Sequence, residues 1–271
     1  MRSDEERRRC TAKIALTKTN GQRRLVASRS RVYCCLGMRT DRSRTTLRSR
    51  RSITPRMARF RRLLARWYAR HRRDLPWRRT SDPYAILVSE LMLQQTPVAR
   101  VVPYYTSFLD TFPTLEALAG SEPARVMESW RGLGYYARAR NLHRLARAVV
   151  DDRSDDSAGN ATLPSDPKAL ERLPGVGRYT AGAVASFGFG RRAALVDTNV
   201  ARVLRRVFGV RGRGQAAVWS FADALLPRTG RSCYTHNQAL MELGALICTA
   251  RVRHCTRCPV RSLCATYARE R

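Results

Sequence analysis

The stretch Leu-Pro-Gly-Val-Gly-Arg at residues 173–178 decides the fold. Its two glycines allow a tight turn, and the helical patterns on both sides predict a hairpin of two helices. Backbone N–H groups of such a turn can approach a phosphate, and the N-terminus of the next helix adds the positive end of its dipole. Gly175, Gly177 and Arg178 are therefore candidate phosphate-binding residues, although an ordinary helix-hairpin turn has the same pattern.

Helical patterns continue on both sides of this turn, and strand-like alternation is absent from the sequence. Asp82-Pro83 and Asp166-Pro167 each place a helix-capping residue before a proline, which is typical of a helix start. The sequence thus predicts an all-α fold. The predicted helices span 57–72, 83–95, 97–111, 122–130, 135–150, 167–172, 178–188, 198–207, 216–226 and 233–247.

The 271-residue chain is strongly basic, with 52 Lys and Arg against 21 Asp and Glu and a formal net charge of +31. Such an excess favours a polyanionic partner, most often nucleic acid, although an arginine-rich composition is also typical of GC-rich genomes. No apolar run is long enough for a membrane helix, and the N-terminus has no secretory pattern. We expect a cytoplasmic, nucleoid-associated monomer with no membrane partner.

Residues 1–56 are rich in arginine, serine and threonine and lack an apolar period. This composition predicts a disordered basic arm. The alternative is that the arm is translated from an upstream start that the cell does not use. Met57 would then be the true start, because a coherent helical pattern begins there.

Four cysteines lie within residues 248–264, with the spacing C-x6-C-x2-C-x5-C. Thiolates are soft ligands that suit zinc or an iron–sulfur cluster. Zinc modules usually contain two close cysteine pairs, whereas this stretch has only one. The spacing therefore favours a [4Fe–4S] cluster held by Cys248, Cys255, Cys258 and Cys264, with zinc as the alternative.

Two carboxylates stand out against apolar surroundings. Glu90 is the only ionisable residue of residues 85–93, so partial desolvation should raise its pKa and suit a general acid. Asp197 precedes a helical run and, as an N-cap, should stay ionised. The pair resembles the acid and the stabilising carboxylate of glycosidic cleavage. An exposed helix glutamate and a plain cap are the alternatives.

The combined motifs resemble the helix-hairpin-helix base-excision DNA glycosylases with an Fe–S loop, through residues 173–181, residues 196–200 and the cysteine spacing. Within that superfamily the chain looks most like the A/G-mismatch adenine glycosylases, the MutY family. The runs that support this narrower likeness are 74–78, 89–96, 132–139 and 241–245. The resemblance implies a two-lobed fold that holds DNA between a six-helix barrel, residues 83–197, and an Fe–S cluster lobe, residues 57–82 and 198–271.

The resemblance also implies an activity: hydrolysis of the N-glycosidic bond of adenine mispaired with G or 8-oxoguanine, in double-stranded DNA with the base flipped out. Glu90 matches the residue that protonates the purine, and Asp197 matches the carboxylate that stabilises the oxocarbenium-like sugar. Tyr179 and Asn199 match residues that support this site. The positions that match the surroundings of the orphan base are Gln95, Thr96, Leu133 and Tyr135, of which Leu133 and Tyr135 are expected to wedge or stack into the gap.

Two departures from the family pattern modify these expectations. Well-known members often have a C-terminal Nudix-like domain that helps to read 8-oxoguanine, whereas this chain ends seven residues after Cys264. We therefore expect weaker discrimination between 8-oxoguanine and G. The family commonly has glycine where this sequence has Thr198, and we expect little effect from this small residue.

Three other functions fit parts of the pattern. A thymine/uracil mismatch glycosylase of the same fold can share the residues at positions 179 and 197. An endonuclease III-like bifunctional lyase and a non-catalytic Fe–S DNA-binding protein are the other two. The presence together of Glu90, Tyr179, Asp197 and Asn199 argues against the last.

We predict no efficient β-lyase activity. Lyases of the superfamily use a lysine as Schiff-base nucleophile, and the corresponding hairpin position is Tyr179 here. Lys168 is the only lysine after residue 57, and it lies before the hairpin on a polar stretch. Borohydride added during reaction with DNA should trap almost no covalent adduct, and substantial trapping would contradict this prediction.

Overall fold

The order of the helices follows the predicted pattern closely. The structure is a computed structural model that describes residues 53–152, 161–212 and 214–270, so all but the last four residues of the predicted arm, 1–56, lie outside it. Twelve α-helices form within these described ranges, and no β-strand does. They are α1 Pro55–His71, α2 Pro83–Leu93, α3 Val98–Thr111, α4 Leu115–Ala119, α5 Pro123–Ser129, α6 Ala137–Asp151, α7 Pro167–Leu170, α8 Arg178–Phe187, α9 Thr198–Phe208, α10 Ala216–Leu225, α11 Gly230–Leu246 and α12 Ala265–Arg269.

The all-α prediction is confirmed, and the two proline-marked starts are correct. The Asp82 side chain accepts hydrogen bonds from the N–H groups of Tyr84 and Ala85, and the Asp166 side chain caps α7 by accepting from the Ala169 N–H. The prediction missed α4 and α12, which are single short turns of five residues each. Helices of this length have too few residues to show an apolar period.

Helix α1 begins at Pro55, two residues before the predicted start at Met57. The Thr54 side chain accepts a hydrogen bond from the Met57 N–H, and Pro55 occupies the first helical turn. The Arg56 guanidinium donates to the carbonyls of Val207 and Leu263, both at 2.8 Å. Residues 54–56 therefore belong to the folded part of the chain.

Helix α2 lies at the centre of the packing. Its residues from Tyr84 to Met92 are all buried, and the helix contacts α3, α6 and α8. Around it, α4 and α5 pack on α6, and α7 packs on α8. A helix that is apolar on all sides forms inside the core, which explains why a single ionisable residue on it is buried as well.

A second group of helices packs around α9 and α11. Helix α11 contacts α1, α8 and α9, while α10 and α12 pack on α9. The described residues, 53–152, 161–212 and 214–270, belong to one compact unit. The division into a six-helix barrel, residues 83–197, and a cluster lobe, residues 57–82 and 198–271, stays a prediction. Within the described ranges no helix has the length and apolar character needed to cross a membrane.

The turn between α7 and α8 has the geometry that its glycines predict. Gly175 adopts φ +77°, and a Cβ there would lie 2.6 Å from the Asn141 Cβ. Gly177 caps α8 with an ordinary φ of −89°, and a Cβ at this position would meet no atom within 4 Å. Packing therefore requires glycine at 175, whereas the space in front of Gly177 is open.

Two truncations should differ in stability, although they end only four residues apart. Deleting residues 1–52 retains the Thr54 cap and the Arg56 contacts and should leave the unfolding transition of the folded unit unchanged. Deleting residues 1–56 removes the cap and both arginine hydrogen bonds, which should lower the free energy of unfolding by about 2 kcal/mol. Urea titrations of both forms measure this difference, and coincident transitions would contradict it.

Candidate active site

Glu90 is a carboxyl group enclosed by the core. It lies in the last turn of α2 and is 4% exposed. Burial raises the pKa of Glu90 to about 7, with Asp197 adding to the rise and a hydrogen bond from Tyr179 and the charge of Arg78 opposing it. The desolvation predicted from the apolar sequence is therefore observed, and much of the group is protonated at neutral pH.

Asp197 approaches from another element, the N-terminus of α9. One of its oxygens accepts the Val200 N–H at 2.6 Å, and the other accepts the Asn199 Nδ2 at 2.9 Å. Two donors thus fix the orientation of the carboxylate, and the helix dipole favours its negative charge. The expected role of Asp197 as an N-cap is observed, and Asn199 is its direct partner.

Tyr179 brings a hydroxyl group to the same place from α8. It hydrogen-bonds to Glu90, and its oxygen also lies 3.8 Å from the Met241 Sδ. Burial, followed by the charges of Glu90 and Asp197, raises the pKa of Tyr179 well above its usual range. The hydroxyl therefore stays protonated and serves as a hydrogen-bond donor to Glu90.

Arg73, Arg78 and Glu242 form a buried ion-pair network, and the charge of Arg78 also acts on Glu90. The sequence analysis assigned these residues no role. Glu242 is fully buried and accepts hydrogen bonds from Arg73 and Arg78, at 2.8 Å each for the shortest contacts. Burial disfavours the charged form, but these donors outweigh it and lower the pKa of Glu242 to about 2. The network joins Arg73 and Arg78 to Glu242. Arg78 and Glu242 lie in the runs 74–78 and 241–245 that carry part of the family resemblance, and this was the one signal of the network in the sequence.

Arg202 is a second residue that the sequence reasoning missed. Its Nη2 donates to the Asn199 side-chain oxygen at 2.6 Å and to the Gly244 carbonyl at 2.9 Å, while its Nε donates to the Cys248 carbonyl at 2.8 Å. A Cβ at Gly244 would lie 2.7 Å from the Asn199 Cβ, so glycine permits this approach. Arg202 thus connects the partner of Asp197 to the cysteine loop.

The four C-terminal cysteines line one small cavity of about 30 Å3 beside α9. None of the four forms a disulfide, and burial raises the pKa of Cys258 to about 11, with the other three cysteines adding to the rise. Arg206 Nη1 lies 3.4 Å from the Cys248 Sγ. No three His, Cys, Asp or Glu residues in the described part of the chain are grouped to hold a single metal ion.

The residues expected around an orphan base divide into two sets. Gln95 and Tyr135 line an open surface cavity of about 520 Å3, and Tyr135 is 57% exposed. Thr96 and Leu133 are buried, at 8% and 4% exposure. The Leu133 side chain packs in the core of the DNA-free chain, so its role as a wedge stays a prediction, whereas Tyr135 is already exposed beside the cavity.

The hairpin residues are exposed at the surface of the molecule. Gly175, Gly177 and Arg178 all face solvent, and the Arg178 guanidinium stacks on the Trp219 ring at 3.9 Å from its centroid. Stacking on an aromatic face orients the guanidinium while leaving its N–H groups at the edge free to donate.

The helical hairpin and the paired carboxyls define a class of base excision repair protein. Residues 88–220 match the family model described as "HhH-GPD superfamily base excision DNA repair protein". A solved structure of a thermostable thymine-DNA glycosylase is 33% identical, with a TM-score of 0.72, and the match covers 79% of this chain and 97% of that one. Endonuclease III trapped as a covalent intermediate with DNA is 25% identical, with a TM-score of 0.67 and coverage of 81% and 99%.

Human adenine DNA glycosylase is 43% identical over 224 residues, which cover 78% of this chain and 40% of the relative. The chain thus spans less than half the length of this relative. It belongs to the HhH-GPD superfamily of base excision DNA repair proteins, and within that superfamily it is similar to adenine DNA glycosylases. The resemblance inferred from the sequence motifs and the predicted fold class are both confirmed.

The raised pKa of Glu90 should make stability depend on pH. A carboxyl whose pKa is 4.5 when unfolded and about 7 when folded contributes stability below pH 4.5 that is lost as the pH rises through about 7. Between pH 5 and pH 8 the wild-type chain should therefore lose about 2–3 kcal/mol of unfolding free energy relative to Glu90→Gln. Urea titrations of both proteins measure this difference.

Glu122→Gln is the matched control, because Glu122 is an exposed glutamate that makes no capping hydrogen bond. It should follow the wild-type pH dependence. Parallel curves for the wild type and Glu90→Gln would show that Glu90 ionises normally in the folded chain.

Proposed function

We propose that this protein is a DNA glycosylase that hydrolyses the N-glycosidic bond of adenine mispaired with G or 8-oxoguanine. The single observation that supports this most directly is the buried carboxyl group of Glu90. Burial raises its pKa to about 7, and the charge of Asp197 adds to this rise. Two carboxyl groups held in different environments suit the acid and the stabilising base of glycosidic cleavage. The family of the human adenine DNA glycosylase supports the same reaction.

Glu90 is the proposed general acid. Its burial keeps much of the group protonated near pH 7, so it can donate a proton to a ring nitrogen of the flipped purine. Protonation makes the base a better leaving group. The Tyr179 hydroxyl, which hydrogen-bonds to Glu90, fixes the direction from which the acid acts.

Asp197 is the proposed stabiliser of the sugar. As the base departs, positive charge develops on the deoxyribose, and a carboxylate already oriented by Val200 and Asn199 needs no reorganisation to interact with it. Water then completes the hydrolysis on a cationic sugar held next to this carboxylate. Arg202 positions Asn199 and so acts on Asp197 indirectly.

Double-stranded DNA is the proposed partner, and the hairpin is the proposed phosphate contact. Endonuclease III, a structural neighbour, is seen in complex with DNA. In this chain, the open space before Gly177 leaves the N-terminus of α8 accessible to a phosphate oxygen, and Arg178 adds a cation beside it. These contacts are independent of sequence and suit a protein that must hold the duplex while a base is extruded.

A thymine-DNA glycosylase is the second candidate, because a solved structure of that activity is 33% identical to this chain. The chemistry of Glu90 favours adenine over thymine. Adenine has a basic N7 that a protonated carboxyl group can engage, whereas thymine offers no comparable ring nitrogen. A buried acid at this position is therefore more useful for a purine substrate.

The four cysteines are the proposed ligands of a [4Fe–4S] cluster. Zinc modules usually contain two close cysteine pairs, whereas residues 248–264 contain only one. Four thiols around one shared cavity fit a larger cluster, in which each sulfur binds a different iron. When bound, the cluster supplies structural cross-linking of residues 248–264, and the proposed reaction needs no electron transfer.

Single-turnover assays on duplexes with A:8-oxoguanine, A:G, T:G and U:G pairs test the proposed function. Adenine should be released fastest, and Glu90→Gln should slow its release by about 10²–10⁴ while duplex binding is retained. Asp197→Asn should be similarly severe, because a neutral amide cannot balance the sugar charge. Glu122→Gln should react like the wild type, and faster release of thymine or uracil would favour the second candidate.

The purified protein should be brown and should contain iron and sulfide in about equal amounts, near four of each per chain. Cys258→Ser should lower both the metal content and the solubility of the protein, whereas Cys233→Ser, which changes a buried cysteine outside the loop, should leave the iron content unchanged. A colourless, active protein that contains zinc would contradict the cluster assignment.

A further inference from the structure

The largely buried side chain of Arg138 lines the surface cavity together with Gln95 and Tyr135. We propose that Arg138 is a positioning residue that holds these two side chains in the conformation that fills the gap left by a flipped base. The inference rests on the proposed function. It assigns a role to a residue that acts through its neighbours and not directly on the bond that is broken.

The Arg138 guanidinium donates to oxygens on two separate segments of the chain, and every one of these oxygens is neutral. Its six acceptors are the carbonyls of Leu91 and Met92 at 2.7 Å, the Thr96 Oγ1 at 3.1 Å, and the carbonyls of Leu133 at 3.3 Å, Gly134 at 3.0 Å and Tyr135 at 3.4 Å. All the N–H groups of one side chain therefore serve to tie residues 91–96 to residues 133–135.

The first segment is the C-terminus of α2. The helix ends at Leu93, so the carbonyls of its last turn have no partner within the helix. Arg138 satisfies two of them and places a cation at the negative end of the helix dipole. These carbonyls belong to the two residues that follow Glu90, so the same guanidinium also fixes the turn that holds the proposed acid.

Each of the two segments that Arg138 binds contains one residue with a strained backbone. Gln95 has φ 57° and Tyr135 has φ 47°, and within the described ranges they are the only residues other than glycine with positive φ. Residues other than glycine rarely adopt this left-handed backbone conformation unless the surrounding structure enforces it. Arg138 binds Thr96, next to the first strained residue, and Gly134 and Tyr135 at the second.

Arg138 also orients the exposed ring itself. Its guanidinium lies 5.4 Å from the Tyr135 ring centroid and 5.5 Å from that of Trp130, which is fully buried. The ring of Tyr135 is thus supported from below by a buried cation that rests on a core aromatic residue. Lysine cannot replace this arrangement, because an ammonium group has three donors and lacks the flat fork.

The test uses the full chain and a duplex with 2-aminopurine opposite G, because this adenine analogue fluoresces more strongly when it leaves the base stack. Saturating wild-type protein should raise the fluorescence. Arg138→Lys should bind the duplex yet produce little of this rise, and it should slow adenine release at least about tenfold. Arg147→Lys, an exposed position on the same helix, should behave like the wild type.

A double-mutant cycle separates positioning from a general loss of stability. In a Tyr135→Ala background, Arg138→Lys should slow adenine release by less than about twofold, because the group that it positions is gone. Equal losses in both backgrounds would overturn the inference, as would a full fluorescence rise with folded Arg138→Lys. If that variant fails to fold, Thr96→Val removes one acceptor and retains the buried charge, and the same outcomes apply to it.

The two proposals fail in different ways. A wild-type protein that releases adenine without raising the fluorescence would overturn the role of Arg138 alone. A wild-type protein that raises the fluorescence through Tyr135 but releases no adenine would overturn the proposed function alone.

Discussion

A carboxylic acid enclosed in the apolar centre of the molecule is the constraint on which the rest of the structure depends. Glu90 lies on a helix whose other buried positions are almost all apolar, and its enclosure lowers stability whenever the group ionises. The same burial raises the pKa of Glu90 to about 7, so the loss of stability accompanies an acid that can donate a proton near neutral pH. The elements that bring Tyr179 and Asp197 to Glu90 are then arranged around that one group.

Arginine has a structural use in this protein that composition does not reveal. The net charge of +31 indicates a polyanionic partner, yet several arginines bind groups inside the fold. Arg73 and Arg78 neutralise the buried Glu242, Arg202 joins Asn199 to the cysteine loop, and Arg138 satisfies carbonyls at the end of α2. A planar guanidinium with five donors is suited to such sites, where one side chain must bind several fixed oxygens.

The cysteine loop and the proposed catalytic carboxylate share a framework. Helix α9 begins at the cap formed by Asp197, and Arg206 on the same helix contacts the Cys248 sulfur. Since α11 and α12 also pack on α9, the position of Asp197 is set by the part of the chain that encloses the cysteine cavity. This proximity gives the loop a structural role in the site without any part in the proposed chemistry.

Local sequence determined the helices, the caps at Asp82, Asp166 and Asp197, the glycine turn and the grouping of the four cysteines, because each depends on neighbours within a few residues. It also identified Glu90, whose apolar surroundings lie on its own helix. Only the tertiary structure decided that Leu133 is buried while Tyr135 is exposed, and that Arg138, Arg202 and Glu242 hold the site in place. Their long-range contacts join positions that are 42 to 169 residues apart, for example Arg202 to Gly244 and Arg73 to Glu242. A periodic pattern states which face of a helix is apolar, but it does not state which distant group that face meets.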